Sequence, residues 1–123
     1  MNTNKSDMIV QIITLPRRFH SLGNVSMFTL LEATGYLGLY DQISEEDIRA
    51  ALVLCPECVR EWFQYSADKR TSSGWYLVKN DEGCYEVGDV SERGGLQQRL
   101  VYNDRIDACA AFVKREIENI RPR

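Results

Sequence analysis

At 123 residues the chain has the length of one compact domain. Its 44% hydrophobic and 27% charged residues sit near the globular average, which argues against wholesale disorder or a fibrous repeat. Fifteen Lys+Arg against eighteen Asp+Glu give a net charge of −3 and an isoelectric point near 5.2, which speaks against wrapping nucleic acid and permits the opposite role, binding something basic.

Residues 1–23 are the least defined part of the expected domain. Ser6 is placed to cap a short helix through Met8, Ile9, Ile12 and Ile13 that ends before Pro16, although the β-branched run also suits a strand. Met8–Leu15 is no signal core, because Asp7 precedes it, Gln11 interrupts it and Leu15-Pro16-Arg17-Arg18 follows in place of small residues. No apolar run approaches the roughly 20 residues of a membrane span. A cytoplasmic protein without membrane contact is therefore expected.

A helical part is expected over 24–70. Met27, Leu30, Leu31 and Thr34 fall on one helix face. Gly35 then suits a left-handed ending, with Tyr36 packed back on Leu31 in a Schellman arrangement. Ser44 and Asp47 form a capping box, bracketed by Ile43 and Ile48 as a hydrophobic staple. Glu45, Glu46 and Asp47 oppose the positive helix end, worth about 0.3–1 kcal/mol each when exposed. Ile48, Ala51, Leu52 and Cys55 make the buried face. Pro56 must restart a second helix, with Val59, Trp62, Phe63 and Ser66 inward.

Cys55-Pro56-Glu57-Cys58 has CxxC spacing, and two chemical readings compete with a plain one. Structural zinc wants four ligands, but Cys84 and Cys109 stand 25 residues apart and His20 is the sole histidine. A thioredoxin-like dithiol wants a strand before the motif, whereas the pattern here is helical on both sides. The plain reading keeps all four cysteines as thiols, with the pair packed as small hydrophobes. No cofactor and no metal are expected.

A meander is expected over 73–102. Trp75–Val78 and Tyr85–Val87 flank the turn Asn80–Gly83, and after a second turn at Ser91–Gly95 the alternation Leu96, Gln98, Leu100, Tyr102 marks a third strand. Over 104–120, Asp104 caps a long helix whose Ile106, Ala110, Val113, Ile117 and Ile120 form a stripe widened by Cys109 and Phe112. The fold class expected is α+β: N-terminal helices, a three-stranded antiparallel meander, and a long C-terminal helix packed on the sheet, in a single domain spanning 1–123.

The residues supply little for catalysis. His20 is the only histidine available to a nucleophile, and it lies in an irregular stretch. Gly94-Gly95 opens no helix and lacks a phosphate-binding pattern. No carboxylate stands in an apolar setting that would raise its pKa. The unusual segment is the hairpin, where Asp81, Glu82, Glu86, Asp89 and Glu92 face only Arg93 between Asn80 and Gly94. The plain account is a solvated hairpin whose acids keep its edges from pairing with other chains. The functional account is a rigid anionic surface that steers a cationic partner, with Tyr76, Tyr85 and Tyr102 adding contact area.

Ser73-Gly74-Trp75-Tyr76, Tyr85-Glu86-Val87, Ser91-Glu92-Arg93-Gly94 and the helix opening Asp107-Ala108-Cys109 carry a resemblance. From Met27 onward the chain resembles small bacterial immunity proteins, the inhibitors that accompany contact-dependent growth inhibition and other polymorphic toxins. That resemblance implies a non-enzymatic cytoplasmic protein that binds a cognate toxin's C-terminal domain, commonly a basic nuclease. It assigns no residue, because immunity interfaces differ from pair to pair. The partner-binding residues expected from the charge pattern are thus Asp81, Glu82, Glu86, Asp89 and Glu92, with the Ser44–Asp47 helix start as another candidate surface. The competing expectation is a non-enzymatic interaction or regulatory module with the same fold and a different partner.

Overall fold

A computed structural model describes residues 5–69, 74–90 and 96–121. Among them are seven helices, a short 3-10 turn at Tyr40–Gln42 and one three-stranded sheet. The helices are α1 (Lys5–Ile13), α2 (Leu15–Leu22), α3 (Met27–Ala33), α4 (Tyr36–Leu39), α5 (Glu45–Val53), α6 (Pro56–Lys69) and α7 (Arg105–Ile120). The strands β1 (Gly74–Lys79), β2 (Tyr85–Val90) and β3 (Leu96–Tyr102) pair antiparallel in the order β1-β2-β3. The α+β architecture is the expected one, with α7 packed on the sheet.

The N-terminal segment is better formed than its sequence promised. The first helix already includes Lys5, so Ser6 sits inside its first turn rather than capping it. Met8, Ile9, Ile12 and Ile13 are buried, as a helical reading requires. Pro16 does not mark an irregular stretch: it occupies the first turn of α2, where a missing N–H costs nothing, and His20 consequently lies on a helix.

In α3 the face Met27, Leu30, Leu31 and Thr34 is buried, and Gly35 takes φ +88°. The Schellman closure forms in part: the Gly35 N–H donates to the Glu32 carbonyl at 3.1 Å, but the outer bond from the Tyr36 N–H to the Leu31 carbonyl is replaced by a side chain. The Thr34 hydroxyl donates to the Leu31 carbonyl at 2.6 Å and accepts from the Tyr36 N–H at 3.1 Å, taking both partners that bond would join. The capping box at Ser44 and Asp47 is present, and Ile43 and Ile48 are buried on either side of it.

The cysteine pair corrects the expectation of free thiols. Cys55 and Cys58 are joined in a disulfide, with Cα atoms 5.5 Å apart. The cause is local. Leu54 and Cys55 donate to Ala51 and Leu52 in a tight ending of α5, and Pro56 opens α6 at once, which leaves residues 55 and 58 on facing sides of one turn. Cys84 and Cys109 are free, and burial pushes the Cys109 thiol above its ordinary range.

The core lies between the helices and one sheet face. Trp62, fully buried, packs edge-on against Tyr65 and Phe112, and its Nε1 donates to the Ile13 carbonyl at 3.0 Å. Glu116 was not expected inside, yet it is 1% exposed on the buried stripe of α7 and accepts from the Tyr65 hydroxyl at 2.7 Å. Opposite, Lys114 spans three acceptors: the Tyr36 hydroxyl at 2.8 Å and the carbonyls of Tyr40 and Ile43 at 3.1 and 2.6 Å. Burial lowers the Lys114 pKa, against the pull of Glu118.

Two carboxylates of this framework make stability depend on pH. The Ser44 backbone N–H, helped by Lys5 at 3.0 Å, holds Asp47 below its ordinary 3.8 against the burial that opposes it. At Glu118 burial pushes upward, but hydrogen bonds from Arg121 and Tyr36 and the charge of Lys114 outweigh it and leave the group below 4.5. Both folded values lie below the unfolded ones, so their stabilisation is complete above the unfolded pKa and is lost as pH falls through the folded pKa. Urea midpoints are therefore expected to hold between about pH 5 and 7 and to fall below about pH 4. Asp47→Asn with Glu118→Gln should flatten that fall, and an acid limb of undiminished steepness would remove both groups from it.

Candidate functional site

The hairpin acids do not share one surface. The turn after β1 is built by Asn80, whose side-chain oxygen accepts from the N–H groups of Glu82 and Cys84 at 3.0 and 2.9 Å, while Gly83 takes φ +83°. This turn holds Asp81 and Glu82 side by side and exposed. Beyond it the two-residue period of β2 separates the rest. Val87 is buried toward the helices, with Tyr85 and Asp89 on its face, whereas Glu86 and Gly88 belong to the opposite face. Asp89 is half-buried at the far end of the strand, between Trp75 and Gln98. Glu92 and the Ser91–Gly95 turn lie outside the described residues.

Glu86 is already engaged. Its Oε1 accepts from Arg99 Nη2 at 2.5 Å and from Asn80 Nδ2 at 3.3 Å, and its side chain is 15% exposed. The Tyr76 hydroxyl also hydrogen-bonds to it, and burial followed by the Glu86 charge raises the Tyr76 pKa against the influence of Arg99. Glu86 therefore stabilises the sheet, with its charge locally balanced.

These residues form a grid on the sheet face turned away from α7. One row is Val78–Glu86–Val101 and the next is Tyr76–Gly88–Arg99, each paired through the register of adjacent strands. The Tyr76 ring lies on Gly88 so closely that any Cβ there would collide with it. Val78 and Val101 flank Glu86 and are 41% and 52% exposed. The open face is thus an apolar pair around a neutralised ion pair, next to an anionic turn.

Sequence reasoning missed Val78, Val101 and Arg99 here. The alternation that sends Leu77 and Leu100 inward also sends Val78 and Val101 outward, so a signal for the valines was present. A glycine inside a strand signals close approach of another group, which Gly88 fulfils. Arg99 had no such signal, because its pairing with Glu86 requires the β2–β3 register.

The Ser44–Asp47 start is less free than its charges imply. Glu45 pairs with Arg115 at 2.7 Å, Asp47 with Lys5 at 3.0 Å, and Glu46 lies 3.7 Å from Arg49, which also binds Asp107. These acids tie α5 to α1 and α7. Elsewhere a groove of about 770 Å³ runs beside α2 and α6 and is lined by Phe19, His20 and Tyr65, with the two-pronged Arg17–Glu61 ion pair at 2.9 and 3.1 Å. Among the described residues no group of three or more His, Cys, Asp or Glu is arranged to hold a metal ion, and no helix is long and apolar enough to cross a membrane.

The fold and this face together define an α+β domain in which, among the described residues, helices cover one side of a small sheet and leave the other side open. No protein family, curated protein or solved structure matches the chain.

Proposed function

We propose that this protein is an immunity protein acting in the cytoplasm. It binds a cognate bacterial toxin domain, most simply a basic nuclease, and blocks the active or substrate-binding cleft without chemistry of its own. The observation that carries this reading is the open sheet face with its adjoining acidic turn. Val78, Val101 and Tyr76 offer apolar contact area on a backbone fixed by strand pairing, so little ordering entropy is spent on binding. Asp81 and Glu82, exposed beside it, supply the negative field that accelerates encounter with a cationic cleft. Glu86 orders Arg99 and Tyr76 within the face, and Asp89 and Glu92 are left to secondary roles in steering.

The test is co-purification with the product of the gene immediately upstream, followed by a nuclease assay with and without this protein. Asp81→Lys with Glu82→Lys is expected to slow association about tenfold at low salt, the order that charge steering provides. Val78→Glu with Val101→Glu should raise the dissociation constant about 100-fold, as loss of a central apolar anchor does. Unimpaired inhibition by both double variants would take the meander out of the interface. Substrate turnover by the purified chain alone would end the immunity reading.

A further inference from the structure

We propose that Cys55 and Cys58 form a reversible dithiol–disulfide couple that exchanges with the dithiol of a partner protein, Cys55 being the sulfur that is attacked. The two residues are bonded to each other at the corner where α5 ends and α6 begins. Cys58 is fully buried, whereas Cys55 is half-buried, so an incoming thiolate reaches one sulfur and not the other. Cys58 lies in the opening turn of the 14-residue α6 and Cys55 immediately precedes it, so the positive end of that helix favours a thiolate on the half-buried Cys55 once the bond is broken.

The surroundings favour a protein as the reductant. Leu54, immediately before Cys55, is 86% exposed, and Val53 is 47% exposed. These two side chains set an apolar margin beside the reachable sulfur. Glu57 places a carboxylate oxygen 3.9 Å from Cys55 Sγ. That charge disfavours an anionic small thiol such as glutathione and leaves an apolar protein segment unopposed.

The exchange balances in two steps. A partner thiolate attacks Cys55 Sγ, the Cys55–Cys58 bond breaks, and its electron pair leaves on Cys58 Sγ, which takes a proton. The partner's second thiolate then attacks its own sulfur in the mixed disulfide and releases Cys55, which is protonated in turn. The partner dithiol becomes a disulfide, this protein becomes a dithiol, and two electrons with two protons have been transferred.

The test uses the full oxidised chain under native conditions, with reduced thioredoxin as the protein dithiol, glutathione as the anionic monothiol and dithiothreitol as the neutral dithiol. Alkylation and mass measurement follow the reaction. Thioredoxin at micromolar concentration is expected to reduce the pair at a rate proportional to its concentration, and at least about tenfold faster than glutathione at equal thiol. Thioredoxin lacking its second cysteine should accumulate as a mixed disulfide with the oxidised wild-type chain, on Cys55 and not on Cys58. Leu54→Asp should slow thioredoxin about tenfold and leave dithiothreitol unchanged. Reduction that proceeds only at the global unfolding rate, whatever the reductant, would overturn the proposal. Equal trapping on the two cysteines would also overturn it, as would reduction by dithiothreitol with no reaction toward thioredoxin. The wild-type kinetics and the wild-type trap decide the matter even if Leu54→Asp fails to fold.

Discussion

Trp62→Ala is expected to cost about 3–5 kcal/mol, the range for deleting a fully buried aromatic side chain. Against the roughly 5–15 kcal/mol that holds a small domain together, this leaves the chain close to unfolding at ordinary temperature. The reason lies in what the indole joins. Its ring meets Tyr65 within α6 and Phe112 on α7, and its N–H reaches back to the Ile13 carbonyl at the end of α1. One side chain therefore connects three helices remote in sequence. Trp62→Phe retains most of the packing and forfeits the hydrogen bond, so a smaller loss of about 1–2 kcal/mol is expected. Urea titration monitored by far-ultraviolet circular dichroism measures both. Losses of equal size would locate the contribution in the N–H rather than the ring.

Lys114→Met is expected to cost about 2–4 kcal/mol, although it changes a single surface-reaching cation. Methionine reproduces the apolar stem and removes the ammonium, which deprives the Tyr36 hydroxyl and the Tyr40 and Ile43 carbonyls of a shared donor. The same ammonium sits 5.1 Å from the centre of the Tyr36 ring and 4.0 Å from Glu118. An ordinary exposed ion pair contributes at most about 1 kcal/mol, so the two accounts are separable by magnitude. Hydrogen exchange should accelerate over residues 36–43, where α4 and the 3-10 turn are pinned to α7, more than in the sheet. A loss below about 1 kcal/mol with uniform exchange would show that Lys114 acts only as a surface charge.

Much of the architecture was legible before any coordinates because its signals are local. The Ser44–Asp47 capping box, the Ile43–Ile48 staple, Gly35 with positive φ and the Asp104 cap each act over six residues or fewer. The apolar stripe of α7 and the alternation in β3 likewise repeat within their own elements. Such features determined where helices and strands begin, end and turn inward. They also made the Asn80–Gly83 turn acidic and exposed at Asp81 and Glu82, which is the part of the expected binding surface that the fold leaves accessible.

The remainder depended on partners far along the chain. Whether Glu86 meets solvent or Arg99 is decided by strand register, thirteen residues away in sequence. The depth of Glu116 comes from Tyr65 and that of Trp62 from α1 and α7, so neither follows from its own helix. The CxxC pair shows the same division at short range: its spacing was visible, but the bond required the abrupt junction of α5 and α6 to turn the two sulfurs together. The sequence by itself determined the fold class, the elements and an acidic hairpin turn, because caps and periodicity act through neighbouring peptide groups. Only the tertiary structure decided which acids are neutralised, which valines face outward and which cysteines are joined, because those outcomes depend on distances that packing alone sets.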